Sequence, residues 1–118
     1  MEHERASIIR GYERALEISD QMLAHAEAMD WQALIDYENL YLKEIDTLRT
    51  LDAKVTLDQP RREHKKSLLE RLMTNDRRLG ELLQNRLDEL GGLLNEGRNL
   101  RKIGHTYGAV SKMKGAGA

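Results

Sequence analysis

The side chains able to do chemistry in this 118-residue chain are 4 histidines, 20 acidic and 19 basic residues, with no cysteine among them. Without a thiol there is no disulfide, no cysteine nucleophile and no cysteine-held zinc or iron-sulfur cluster. His3, His25, His64 and His105 are scattered, and none has a glutamate three residues before it, the spacing that di-iron carboxylate bundles require. Neither a His-Glu-x-x-His zinc motif nor a Gly-x-x-x-x-Gly-Lys phosphate loop is present. The histidines are therefore expected at exposed or helix-capping positions. Glu13, Glu17 and Asp20 fall at helical spacing, and paired carboxylates can exchange protons with a substrate. That work needs a concave, partly dry pocket, whereas these three lie opposite the apolar seam of their helix. The sequence predicts a solvated acidic face, no enzyme, no cofactor and no metal.

Cations gather at Arg61, Arg62, Lys65 and Lys66, at Arg77 and Arg78, and at Arg98, Arg101 and Lys102. Such clusters raise direct nucleic-acid binding as an alternative, but a phosphate-binding domain carries a positive field overall. Here the formal net charge is -1, and Tyr107 is the only aromatic of the second half. The neutral total hides a division: residues 1–59 hold 13 acidic and 6 basic side chains, and residues 60–118 hold 7 and 13. The simplest reading is that helices from the two halves meet along solvated edges of opposite charge.

The elements that must position these groups are helical. Leucine supplies 19 residues and alanine 10, against 6 isoleucines and 2 valines, and aromatics make up 4%; straight-chain residues favour helix over strand. A first helix is predicted over about 4–27, with Ile9, Tyr12, Leu16, Ser19, Leu23 and Ala26 as a heptad seam widened by Ile8, Ala15, Ile18 and Met22. Asp30 is a ready N-cap for a second helix over 30–52, with Met29 and Leu34 spaced as a hydrophobic staple. Ala53 to Gln59 has no apolar period, and Pro60, the only proline, suits the opening of a third helix over 60–96. Gly91 and Gly92 would weaken that helix near its end, and Gly97 would stop it. A short fourth helix, 99–113, carries Leu100, Ile103, Tyr107 and Val110 but is interrupted by Gly104 and Gly108. It is expected to fold mainly by docking, either to complete the core or to give way to another chain's helix. Residues 114–118 are expected to be a disordered tail. The whole is predicted to be one all-α domain, an antiparallel bundle of three long helices plus a displaceable short one. The N-terminus lacks a secretory h-region and no run approaches bilayer length, which predicts a cytoplasmic protein without membrane insertion.

Beyond this pattern lie more specific strings. Leu82-Leu83-Gln84-Asn85-Arg86-Leu87-Asp88-Glu89-Leu90 followed by Thr106-Tyr107-Gly108-Ala109-Val110-Ser111-Lys112-Met113 resembles the C-terminal half of the FliT family, flagellar type III export chaperones of the filament cap protein. Leu16 to Leu23, Met29-Asp30-Trp31-Gln32-Ala33-Leu34 and Glu38 to Ile45 resemble that family's first two helices.

The resemblance implies a cytoplasmic chaperone that binds the C-terminal helical region of the cap protein FliD, prevents premature assembly and delivers it to the export gate protein FlhA, with contacts to the export ATPase complex. In some bacteria it implies inhibition of the master regulator FlhDC through FlhC. The family's fourth helix is self-inhibitory, a role that falls here on Leu100, Ile103, Tyr107, Val110 and Met113. The family's Tyr-Gly motif places Tyr107 at the export gate, and a core tyrosine is the alternative. From the apolar faces of helices two and three, the client groove is predicted to include Leu42, Ile45, Leu69, Leu72, Leu79 and Leu83. A homodimer, an anti-activator acting mainly on FlhDC and a small nucleic-acid-binding bundle stay open at this point.

Overall fold

The computed structural model describes residues 2–90. They form α1 (Glu2–Glu27), α2 (Trp31–Asp52) and α3 (Gln59–Leu90), and no strand occurs among them. At about 1.5 Å rise per residue, the 32 residues of α3 account for the 49 Å length of the particle. Gly91, Gly92 and the predicted fourth helix lie outside the described residues.

The ends of α1 and α2 and the start of α3 fall within a residue or two of those expected, and the caps show why; the expected end of α3 at 96 lies outside the described residues. At the end of α1 the Asp30 N–H donates to the His25 carbonyl and the Met29 N–H to that of Ala26. This paired closure is a Schellman motif, which needs a left-handed residue, and Met29 supplies it at φ 60. The Asp30 side chain then accepts from the Ala33 N–H at 3.2 Å, capping α2. The staple expected of Met29 does not form, because Met29 is 61% exposed while Leu34 is fully buried. Its backbone, not its side chain, sets the corner.

Burial on α1 follows Ile8, Ile9, Tyr12, Ala15, Leu16, Ser19, Met22 and Ala26, with Ile18 and Leu23 only partly covered. The buried stripe is thus centred between the two predicted lines, because α1 faces two neighbours at once. It packs against both α2 and α3, while α2 and α3 do not pack closely on each other. Arg14 meets Glu44 and His25 meets Tyr37, so α1 and α2 run antiparallel. Asn75 donates to Ser19 and Asp20, and Arg78 pairs with Glu27. The α1–α3 pairs rise together along both helices, so these two run parallel. With a short connection at each end, the chain runs up, down and up, so consecutive helices are antiparallel.

The connection 53–58 is more than a spacer. Leu57 is buried and Val55 partly so, which closes the end of the core, and Arg5 Nε donates to the Thr56 carbonyl at 3.0 Å.

Candidate functional site

The faces of α2 and α3 separate by heptad position and contact. Lys65 and Arg86 occupy one heptad position on α3 and both reach α2, at Asp52 and at the Trp31 ring. Leu72 and Leu79 share that position and are 0% exposed. Asn75 and Arg61 occupy the position that meets α1, at Ser19 and Glu2. Turning the other way from α1, the next line on α3 reads Leu69, Asp76, Leu83 and Leu90, and the one beyond it Met73, Gly80 and Leu87. On α2 the corresponding outer line is Ile35, Leu42 and Arg49. The Asp52–Lys65 and Trp31–Arg86 contacts set an antiparallel register that puts Leu42 at nearly the height of Asp76.

The six predicted groove residues therefore divide. Ile45, Leu72 and Leu79 belong to the interior between the helices, and a docking chain could reach them only by opening it. Leu69 and Leu83 lie on the outer line of α3 and are buried in this structure, whereas Leu42 lies on the outer line of α2 and is 39% exposed. Leu100, Ile103, Tyr107, Val110 and Met113 lie outside the described residues.

Two features escaped the sequence reading. The first is a buried polar knot. The Tyr12 hydroxyl donates to Asp52 Oδ2 at 2.8 Å, the Lys65 ammonium donates to the same oxygen at 2.6 Å, and that ammonium lies 5.8 Å from the Tyr12 ring centroid. All three helices meet there, one side chain from each. Burial, and after it the hydrogen bond to Asp52, pushes the Tyr12 phenol well above its ordinary pKa. Lys65 is 5% exposed, so it is removed from the surface cluster in which the sequence placed it. Arg61 is engaged by Asp58 and Glu2, and Arg78 by Glu27 and Glu81. Among the described cations of those clusters, Arg61, Lys65 and Arg78 are committed to neighbouring carboxylates and Arg62 donates to Gln59 Oε1 at 2.6 Å.

The second is Asp76. It occupies a heptad position filled by Leu69, Leu83 and Leu90 on either side of it, after Arg62 in the first turn of α3. Its Oδ1 is buried without a hydrogen-bond partner, and loss of solvent alone raises its pKa to about 6. The signal for it was legible as one acidic residue interrupting a leucine line.

Glu13 and Glu17 are exposed and Asp20 accepts from Asn75 at 2.6 Å. A shallow polar hollow of about 470 Å³ beside them is lined by Asp20, Ser67, Glu70, Arg71, Thr74 and Asn75. Among the described residues no cluster of three or more His, Asp or Glu side chains is arranged to hold a metal ion, and no helix is long and apolar enough to cross a membrane.

What the site offers is helix surface whose apolar residues are interrupted by Asp76 on α3 and Arg49 on α2, a chemistry suited to helix recognition. The comparisons with known proteins give the family. The family profile described as "Flagellar protein FliT" matches residues 9–109. The chain is 28% identical over 104 residues to flagellar protein FliT of Photorhabdus laumondii, covering 88% of this chain and 83% of that protein. It is 27% identical over 100 residues to the Pectobacterium atrosepticum protein of that name, covering 85% and 79%, and 29% identical over 101 residues to the Yersinia pestis one, covering 86% and 84%. This chain belongs to the FliT family of flagellar proteins.

Proposed function

We propose that the chain is a flagellar export chaperone whose client is the C-terminal helical region of the filament cap protein FliD. It holds FliD unassembled in the cytoplasm and passes it to the export gate protein FlhA, in contact with the export ATPase complex. The observation that carries this reading is the family match across residues 9–109, joined to a helical surface that places Leu42 in the open beside the apolar flank of α3. A helix with an apolar stripe is the natural occupant of such a surface. The segment 99–113 acts as its removable cover through Leu100, Ile103, Val110 and Met113. Tyr107 then docks the export gate once the client has taken the groove; a tyrosine offers a rigid apolar face and one orienting hydroxyl.

Titration of the full chain with the isolated C-terminal helical segment of FliD tests the reading, with saturable binding expected. Removing residues 99–118 should tighten that complex. Tyr107→Ala should leave FliD binding in place while weakening association with the cytoplasmic part of FlhA. Absence of FliD binding by the full and the shortened chain alike would sink the proposal, and equal loss of both partners in Tyr107→Ala would make Tyr107 a core residue instead.

A further inference from the structure

Asp76 is an expensive residue to keep where it stands. Its heptad line is leucine on either side, one of its carboxylate oxygens is buried, and no cation of α1, α2 or α3 pairs with it. A carboxylate with one oxygen cut off from water and given no partner disfavours the free chain, so the position acquires a rationale when a cation is brought to it. Room for one is present. Gly80, one helical turn further along the same flank, has nothing within 4 Å of where a side chain would begin. A long basic side chain crossing over Gly80 would meet the Asp76 carboxylate, while the apolar residues around it lie against Leu42, Met73 and Leu87.

We propose that Asp76 determines specificity in this groove: the docked client helix carries a lysine or arginine within its apolar stripe, and that cation passes over Gly80 to pair with the Asp76 carboxylate. This rests on the client reading given above and adds to it the charge the client must present and the register at which it docks. A single polar residue in an otherwise apolar helical seam is a well-attested way of fixing register at a cost in stability. The chain's own residues 91–118 are the competing source of a cation, with Arg98, Arg101, Lys102, Lys112 and Lys114 against a single acidic residue, Glu96.

The test is a double-mutant cycle on the full chain, with the C-terminal helical segment of FliD as probe and each of its lysines and arginines changed to glutamine in turn. Asp76→Asn should weaken binding about tenfold, as loss of one partner of a partly buried charge pair does. One cation of the segment should matter about tenfold against the wild-type chain and hardly at all against Asp76→Asn. Gly80→Leu, which fills the passage, should weaken binding as well. An unchanged affinity in Asp76→Asn, or strict additivity with every cation of the segment, overturns the proposal while leaving the client reading intact. Tighter binding in Asp76→Asn also overturns it, since Asp76 would then be holding the chain's own basic segment. If the wild-type chain does not bind the segment at all, the client reading fails and this proposal falls with it.

Discussion

The ammonium of Lys65 on α3 and the carboxylate of Asp52 at the end of α2 lie 2.6 Å apart with little access to water, and the Tyr12 hydroxyl of α1 shares the same oxygen. Because α2 and α3 do not pack closely on each other, this pair and the Trp31–Arg86 contact at the opposite end fix their relative height.

Removing one partner of that pair leaves the other charge buried. Lys65→Met should destabilise the chain by roughly 2 to 3 kcal/mol, somewhat below the cost seen for fully enclosed pairs because Asp52 keeps some solvent. Asp52→Asn should cost a similar amount, and the double variant Lys65→Met with Asp52→Leu should recover part of the loss. Urea unfolding followed by circular dichroism measures all three. A Lys65→Met midpoint within a few tenths of a kcal/mol of wild type would show that the pair behaves like an exposed one.

Asp76 acts in the opposite sense. Its folded-state pKa is raised from 3.8 to about 6 by burial, so the folded chain binds this proton more tightly than the unfolded chain. The stabilising contribution is complete below pH ~3.8, declines as pH rises, and is gone above pH ~6. Asp76→Asn should therefore be more stable than wild type at pH 7, by on the order of 1 kcal/mol after allowance for its partial exposure. That advantage should shrink to nothing toward pH 4. Unfolding curves of both proteins across that range give the difference directly, and a pH-independent difference would contradict the assignment. The gain in stability also guards the binding test, since an Asp76→Asn chain that binds its partner poorly has not done so by unfolding.

Two glycines in helix interiors should respond in opposite directions. A side-chain carbon at Gly11 would sit 2.5 Å from Leu48 Cδ2 and 3.2 Å from its Cγ, and Leu48 is 2% exposed, so it would have to move within the core. Gly11→Ala gains about 1 kcal/mol of helix propensity but overpacks the α1–α2 contact by about 1 to 3 kcal/mol. A net loss of roughly 1 kcal/mol is expected. Gly80 meets nothing, so Gly80→Ala should stabilise the free chain by up to about 1 kcal/mol. Thermal melts distinguish the two, and a stabilised Gly11→Ala would mean that the helices separate more readily than their packing indicates.

The helices themselves were legible in the sequence because their signals are local. Asp30 caps α2 and Pro60 opens α3 within a residue of where spacing put them, and Tyr12, Leu16, Leu69 and Leu83 are buried as their period required. Period alone reports that a residue faces inward without saying what it faces. For that reason it could not separate Ile45, Leu72 and Leu79, which are buried between the helices, from Leu42, which is exposed, and it put Met22 at a margin of the seam when it is fully buried.

Charge was read least well, because its meaning depends on partners distant in sequence. Lys65 looked like one of four neighbouring cations, and only the approach of Asp52 and Tyr12 from two other helices turns it into a buried partner. Asp76 looked like one acid among 20. Its isolation is decided by the helix that runs beside it and by the cations that do not. The sequence by itself determined a helical chain of the FliT family, without thiol chemistry and with opposite charges in its two halves, since composition, period and motif are properties of neighbouring residues. Only the tertiary structure decided which charges hold the helices together and that one oxygen of Asp76 is buried without a hydrogen-bond partner, because burial and pairing are settled between elements and not within them.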